Sequence, residues 1–112
     1  MKYKELISEL YACANECNAC FEACLKEKDV EKLERCMQLD EECYDICELT
    51  ARMLERGSEH KDLFLSLCAQ ICIACADECE THHHDHCMKC AAACRTCAEK
   101  CIANESEVKS WE

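Results

Sequence analysis

The chain has 112 residues, which suits one domain over residues 1–112, and its formal net charge is −11. This acidity argues against a nucleic-acid partner, because phosphate contacts need a basic face. The first residues contain no apolar signal core, and no stretch reaches the roughly 18 apolar residues of a membrane span. We therefore expect a cytoplasmic protein that binds neither nucleic acid nor membrane.

The first half of the chain predicts two long helices. Proline is absent and Gly57 is the single glycine, so few positions interrupt a helix. Helix 1 is predicted from Tyr3 to Glu27. Asp29 is a suitable N-cap for helix 2, which is predicted to continue to Arg56. Gly57 then fits the left-handed position that often follows a helix end.

The second half predicts two more helices. Ser58 is expected to cap helix 3, which runs to Glu80, and residues 81–85 form a turn. Helix 4 is predicted from His86 to Asn104 or beyond. Loops this short make neighbouring helices antiparallel. The sequence therefore predicts an all-α fold, an antiparallel up-down-up-down four-helix bundle with a cysteine-lined core.

In these predicted helices, cysteine recurs at the spacing that core residues normally have. Within each helix the steps are 3, 4 or 7 residues, which keeps the side chains on one face. Leucine normally occupies such positions, so a line of thiols replaces much of the core. In a reducing compartment, dense cysteine indicates metal or redox chemistry, not a disulfide framework. The sixteen positions are Cys13, Cys17, Cys20, Cys24, Cys36, Cys43, Cys47, Cys68, Cys72, Cys75, Cys79, Cys87, Cys90, Cys94, Cys97 and Cys101.

The chain also repeats itself. Residues 13–24 match residues 68–79 in all four cysteines and in two alanines. This match predicts a duplicated helical hairpin.

The two ends of the predicted bundle differ in composition. The turns near residues 28 and 82 share one end, which we call the histidine end. The other end, which we call the leucine end, carries apolar side chains in register with the cysteines. We expect these side chains to pack together there; they are Leu6, Leu10, Leu54, Phe64, Leu65 and Trp111, with Val108 also in register.

Cysteines four residues apart favour Cu(I). Residues at this helical spacing have Cβ atoms about 5–6 Å apart, so two sulfurs can lean together around one ion. Cu(I) is thiophilic and accepts two thiolate ligands, so about 8 ions fit as isolated pairs and about 16 with full bridging. We predict multiple Cu(I) ions per chain on seven pairs: 13/17, 20/24, 43/47, 68/72, 75/79, 90/94 and 97/101.

Other functions stay open at this point. Zinc prefers closed tetrahedral sites, whose cysteine pairs usually lie on turns. Bacterial ferredoxins bind iron–sulfur clusters with a different spacing that is followed by proline. A thiol redox protein would need a reactive cysteine near a helix N-terminus, whereas Cys17/Cys20 and Cys94/Cys97 lie inside helices. A structural bundle would use the thiols only for packing. We predict metal storage and no enzymatic activity.

Histidines crowd the turn before helix 4. His82 and His83 fall in register with the cysteines, and His86 directly precedes one of them. Imidazole also suits copper, so we predict these three as metal ligands beside the sixteen cysteines. We expect His84 to be exposed, and His60 to lie on the surface at the leucine end.

Asp40 interrupts the cysteines of helix 2, between Cys36 and Cys43. We expect this carboxylate to face solvent, because carboxylates are poor Cu(I) ligands. Met37 and Met88 lie near the histidine end, where a thioether could meet incoming Cu(I) or only pack.

A set of motifs extends over nearly the whole chain: Cys13-x3-Cys17-x2-Cys20-x3-Cys24, Cys43-Tyr44-Asp45-Ile46-Cys47, Arg56-Gly57-Ser58, Cys79-Glu80-Thr81-His82, and His86-Cys87-x2-Cys90-x3-Cys94-x2-Cys97-x3-Cys101. In these motifs the chain resembles the cytosolic four-helix-bundle copper storage proteins. The resemblance implies a bundle that holds many Cu(I) ions, forms a homotetramer and has histidines at its open end, here His82 and His86. It also implies that copper arrives from a donor protein or a small thiol. The family often has cysteine where this chain has Asp40.

Overall fold

The computed structural model describes residues 3–105 and contains four long helices. Each helix packs against the next, and the fourth closes the bundle against the first. The predicted all-α, up-down-up-down four-helix bundle with a cysteine-lined core is therefore confirmed. Val108 and Trp111, which we expected near the leucine end, lie outside the described residues. The helices are α1 (Lys4–Leu25), α2 (Glu34–Glu55), α3 (Lys61–Cys79) and α4 (Asp85–Ala103).

The connection between α1 and α2 differs from the prediction. Asp29 does not cap α2, because a short 3₁₀ helix, Val30–Leu33, precedes it. The Asp29 carbonyl accepts a hydrogen bond from the Lys32 backbone N–H at 2.8 Å. The tighter 3₁₀ turn brings Leu33 into the core, where it is fully buried. α2 therefore begins at Glu34, directly after this buried leucine.

Gly57 ends the α2 segment as predicted. Its φ of +67° lies in the left-handed region that glycine adopts without steric cost. The Ser58 backbone N–H donates to the Met53 carbonyl at 3.0 Å, and the Gly57 N–H donates to the Leu54 carbonyl at 3.1 Å. This pair of bonds is a Schellman motif, which satisfies carbonyl groups that the helix leaves free.

The starts of α3 and α4 each differ from the prediction by a few residues. Ser58 is not the N-cap of α3, which begins at Lys61 after His60. The Ser58 hydroxyl instead accepts the His60 backbone N–H at 3.0 Å, within the turn. α4 begins at Asp85, and the extended backbone of His84 leads into it.

The leucine end is packed with apolar side chains, as predicted. Leu10 and Leu65 are fully buried, and Leu6 and Leu54 are nearly so, while Phe64 packs against this cluster from its edge. Within residues 3–105 no helix is long and apolar enough to cross a membrane. The leucine end therefore has an ordinary apolar core, and the cysteines line much of the remaining interior.

Candidate metal centre

All sixteen cysteines lie inside the bundle as free thiols. None is more than 1% exposed, because the 3- and 4-residue steps keep them on the inner face of each helix. Four come from α1, three from α2, four from α3 and five from α4. The described interior from Cys13 to Cys101 is thus lined by sulfur from every helix.

Sulfurs from different helices lie as close together as sulfurs from one helix. Within a helix, the Sγ atoms of Cys43 and Cys47 are 3.9 Å apart. Between helices, the Sγ atoms of Cys43 and Cys72 are 3.5 Å apart, as are those of Cys36 and Cys79. The sequence indicated only the pairs within a helix. The packing of α2 against α3 adds the second set of pairs.

The thiols form groups that could hold metal ions. In each group, one ligand atom per residue lies within 4.8 Å of every other. Two sulfurs bridged linearly by one ion would be about 4.6 Å apart, given a metal–thiolate bond of about 2.3 Å. Small movements therefore suffice for binding. Five groups are Cys13/Cys47/Cys72/Cys97, Cys13/Cys17/Cys43/Cys94, Cys17/Cys75/Cys90/Cys94, Cys20/Asp40/Cys79/Cys90 and Cys20/Cys24/His86/Cys87.

These five groups are joined by shared cysteines. Cys13 belongs to the first and second, Cys17 and Cys94 to the second and third, Cys90 to the third and fourth, and Cys20 to the fourth and fifth. The shared sulfurs connect His86 at one end with Cys97 toward the leucine end. The groups therefore form one continuous series along the bundle. Closed zinc sites, in which each cysteine serves one ion, fit this overlap less well.

Asp40 is buried among the thiols, so the expectation that it faces solvent is wrong. Its side chain is fully buried. Oδ1 lies 3.3 Å from the Cys90 sulfur and 3.4 Å from the Cys75 sulfur. Desolvation, followed by the negative charges of Cys90 and Cys75, raises the pKa of Asp40 to about 10. Its position four residues after Cys36 was the sequence signal for this burial.

We expect Asp40→Asn to stabilise the metal-free protein increasingly as the pH rises. A raised native pKa means that Asp40 contributes most to stability below its unfolded pKa of about 3.9. That contribution is lost as the pH rises through the native pKa of about 10. Relative to the variant, wild type should lose at most about 1.4 kcal/mol per pH unit between these limits. Urea unfolding at pH 5 and pH 8 measures the difference.

The matched control is Asp45→Asn, since Asp45 is exposed on the same helix. This substitution should leave the pH dependence of stability unchanged. If Asp40→Asn and wild type keep a constant stability difference between pH 5 and pH 8, burial does not hold Asp40 in its neutral form.

His86 contacts the thiols at the histidine end directly. Its Nδ1 lies 3.6 Å from the sulfurs of Cys20 and Cys87 and 3.9 Å from that of Cys24. These three cysteines come from the end of α1 and the start of α4. The group therefore marks the histidine end as the point where the line of thiols meets the surface.

The other three histidines are placed differently. His82 is half-buried, with Nε2 3.0 Å from the Glu78 carboxylate, and His83 is exposed. His84 is half-buried, not exposed as expected, because Nε2 lies 3.1 Å from the Asp29 carboxylate. The predicted roles of His82, His83 and His86 as ligands stay predictions. The two carboxylates that contact these histidines, Glu78 and Asp29, are candidate functional groups that the sequence spacing did not reveal.

Burial raises the pKa of two thiols at the histidine end in the metal-free protein. Desolvation, followed by the charge of Cys36, raises the pKa of Cys24 to about 12, and the same two causes raise the pKa of Cys87. A metal ion must displace these protons because it binds the thiolate form. Binding should therefore weaken as the pH falls.

Comparisons with known proteins match most of the chain. A family model described as copper storage protein matches residues 1–106. A Bacillus subtilis (strain 168) relative, described as uncharacterized cysteine-rich protein YhjQ, is 47% identical over 89 residues, which are 80% of this chain and 82% of the relative.

Two solved structures share the fold and much of the sequence. Cu(I)-bound copper storage protein BsCsp3 has a TM-score of 0.90 and 40% identity, covering 95% of this chain and 100% of that chain. A cytosolic copper storage protein from Streptomyces lividans, with five coppers, has a TM-score of 0.85 and 40% identity, covering 88% and 87%. The agreement extends over nearly all of the described bundle.

Proposed function

This chain belongs to the copper storage protein family, and we propose that the thiolates lining its interior hold multiple Cu(I) ions that are taken up at the histidine end. The observation that carries this proposal is the continuous series of overlapping sulfur groups. Cu(I) accepts two thiolates and tolerates shared sulfurs, so one bundle can hold many ions. The proposed ligands are the sixteen cysteines with His82, His83 and His86.

Uptake and transfer follow from the same geometry. Cu(I) first meets the group of Cys20, Cys24, His86 and Cys87. It then passes along shared cysteines toward Cys97, so each step replaces one sulfur ligand by another. Every thiol that becomes a ligand loses a proton to form a thiolate, and each Cu⁺ offsets one of the negative charges formed. We propose that the protein stores copper without enzymatic activity, in keeping with the description of its family as copper storage proteins.

We also propose that residues 1–112 act as one domain in the cytoplasm, assemble as a homotetramer and receive Cu(I) from a donor protein or small thiol. The Streptomyces lividans relative is described as cytosolic, which supports the location. Leu63 and Leu67 are exposed on one side of α3, which gives assembly an apolar surface. The donor is what the resemblance to the copper storage family implies.

Anaerobic titration with Cu(I) against a competing chelator should saturate at about 8–16 ions per chain, as ligand counting gives for paired and bridged thiolates. The bound metal is measured after removal of the chelated fraction. Titration with Zn²⁺ provides the comparison, because sixteen cysteines make at most about four closed tetrahedral sites. Saturation with Cu(I) at four ions or fewer would contradict storage on the whole series of thiols.

A further inference from the structure

Four side chains form a series of close polar contacts that leads outward from the thiols at the histidine end: His86, Glu27, His84 and Asp29. We propose that Glu27 is a positioning residue for copper uptake, which accepts the Nε2–H of His86 and so turns the unprotonated Nδ1 toward the thiols. This inference rests on the proposed function, and it assigns a role to a residue that does not itself contact copper.

The distances define which nitrogen of His86 carries the hydrogen. Nε2 lies 2.8 Å from Oε2 of Glu27. A carboxylate oxygen only accepts hydrogen bonds, so Nε2 donates. A neutral imidazole has one N–H, which leaves a lone pair on Nδ1. That atom is the one that lies 3.6 Å from the sulfurs of both Cys20 and Cys87. The ring is thus prepared to bind a metal ion without a change of tautomer.

The remaining two residues hold Glu27 in place. Nδ1 of His84 lies 3.3 Å from the same oxygen of Glu27, and the rings of His84 and His86 are stacked, with centroids 5.1 Å apart. Nε2 of His84 contacts both oxygens of Asp29, at 3.1 and 3.2 Å. The series therefore joins the segment after α1 to the start of α4. Cys24 in the last turn of α1 and Cys87 in the first turn of α4 adjoin these segments, and Nδ1 of His86 contacts both sulfurs.

A contact between partly exposed charged groups is not by itself significant, since many such pairs contribute nothing measurable to stability. Two features of this pair are specific to a positioning role. The carboxylate contacts the nitrogen opposite the thiols, and a second histidine fixes that carboxylate. Carboxylates that orient a metal-binding histidine in this way typically change affinity or activity by about 10–100-fold when they are removed.

The first experiment reads the tautomer of His86 in the metal-free protein by ¹⁵N NMR at pH 8. We expect wild type to show a protonated Nε2 and Glu27→Ala to show a mixture of tautomers. Glu27→Gln should keep most of the wild-type signal, because its amide oxygen also accepts. Glu31→Ala is the control, since Glu31 is exposed on the adjoining 3₁₀ helix. An unchanged tautomer in Glu27→Ala, or a protonated Nδ1 in wild type, would overturn the proposal.

The second experiment measures the rate at which less than one equivalent of Cu(I) passes from a chelator to the protein. Glu27→Ala should slow this transfer by about 10-fold, and Glu27→Gln by much less. In the His86→Ala background, removing Glu27 should have no further effect, because its action requires His86. An equal slowing in both backgrounds would show that Glu27 attracts copper directly and would refute the positioning role.

Total capacity, measured with the same samples, separates this inference from the proposed function. A full complement of Cu(I) in every variant keeps storage intact, whatever the tautomer of His86. A capacity of four ions or fewer in wild type would refute storage, while the tautomer in the metal-free protein would still test the role of Glu27.

Discussion

Loading with Cu(I) should raise the thermal unfolding midpoint of this protein by about 20 °C or more. A ligand present at 100 times its dissociation constant stabilises the native state by about 2.7 kcal/mol per site. In a domain of this size, each 1 kcal/mol raises the midpoint by about 4–8 °C, so two such sites already suffice. Circular dichroism melts under anaerobic conditions, with and without Cu(I), provide the measurement.

The physical reason is that the ions join different helices. The Sγ atoms of Cys17 and Cys94, from α1 and α4, are 3.7 Å apart, and those of Cys43 and Cys72, from α2 and α3, are 3.5 Å apart. One ion between such sulfurs links segments that are distant in the sequence. Thiolates of the unfolded chain also bind copper, which reduces the gain, but the unfolded chain must lose conformational entropy to gather them.

A matched variant tests this explanation. Cys72→Ser keeps the size of the side chain but removes a sulfur that contacts Cys43, Cys47 and Cys68. Its metal-free form should melt near wild type, while its gain on loading should be smaller. If the loaded wild type melts within about 5 °C of the metal-free protein, the ions do not link the helices, and binding on the outer surface becomes the better explanation.

The sequence could predict the bundle because every helix repeats cysteine at steps of 3, 4 or 7 residues, and leucines continue this spacing in the first three helices. Gly57 marked the end of α2 correctly, since a positive φ is a local requirement that one residue reveals. The start of α2 was not predictable in this way. It depends on the burial of Leu33 against the rest of the bundle, and tertiary packing of this kind overrides a suitable capping residue such as Asp29.

The thiol interior followed from spacing, but the polar groups of the site did not. Asp40 lies in register with the cysteines, yet the chemistry of carboxylates argued for its exposure. In the structure its carboxylate contacts four thiols that come from three different helices. No pattern in the sequence indicated that Glu27 and His84 contact each other. Their contact joins residues 57 positions apart in the chain, and only the packing of α4 against α1 brings them together.

Leu65→Ala should destabilise the metal-free protein by about 2–5 kcal/mol and leave its copper capacity unchanged. Leu65 is fully buried at the leucine end, so truncation removes buried apolar contacts and leaves a cavity. A loss of this size is a large part of the total stability of a small domain. Urea unfolding of the metal-free protein gives the free energy, and anaerobic Cu(I) titration of the same sample gives the capacity.

Leu25→Ala is the matched control, because Leu25 is the last residue of α1 and is 54% exposed. It should change the free energy of unfolding by no more than about 0.5 kcal/mol. Equal losses for the two variants would mean that the leucine end is not a packed core. If fully folded Leu65→Ala binds fewer copper ions than wild type, metal binding also depends on the leucine end. The expected pair of results instead assigns the two properties to different residues: the leucines stabilise the metal-free bundle, and the thiols are free to bind copper.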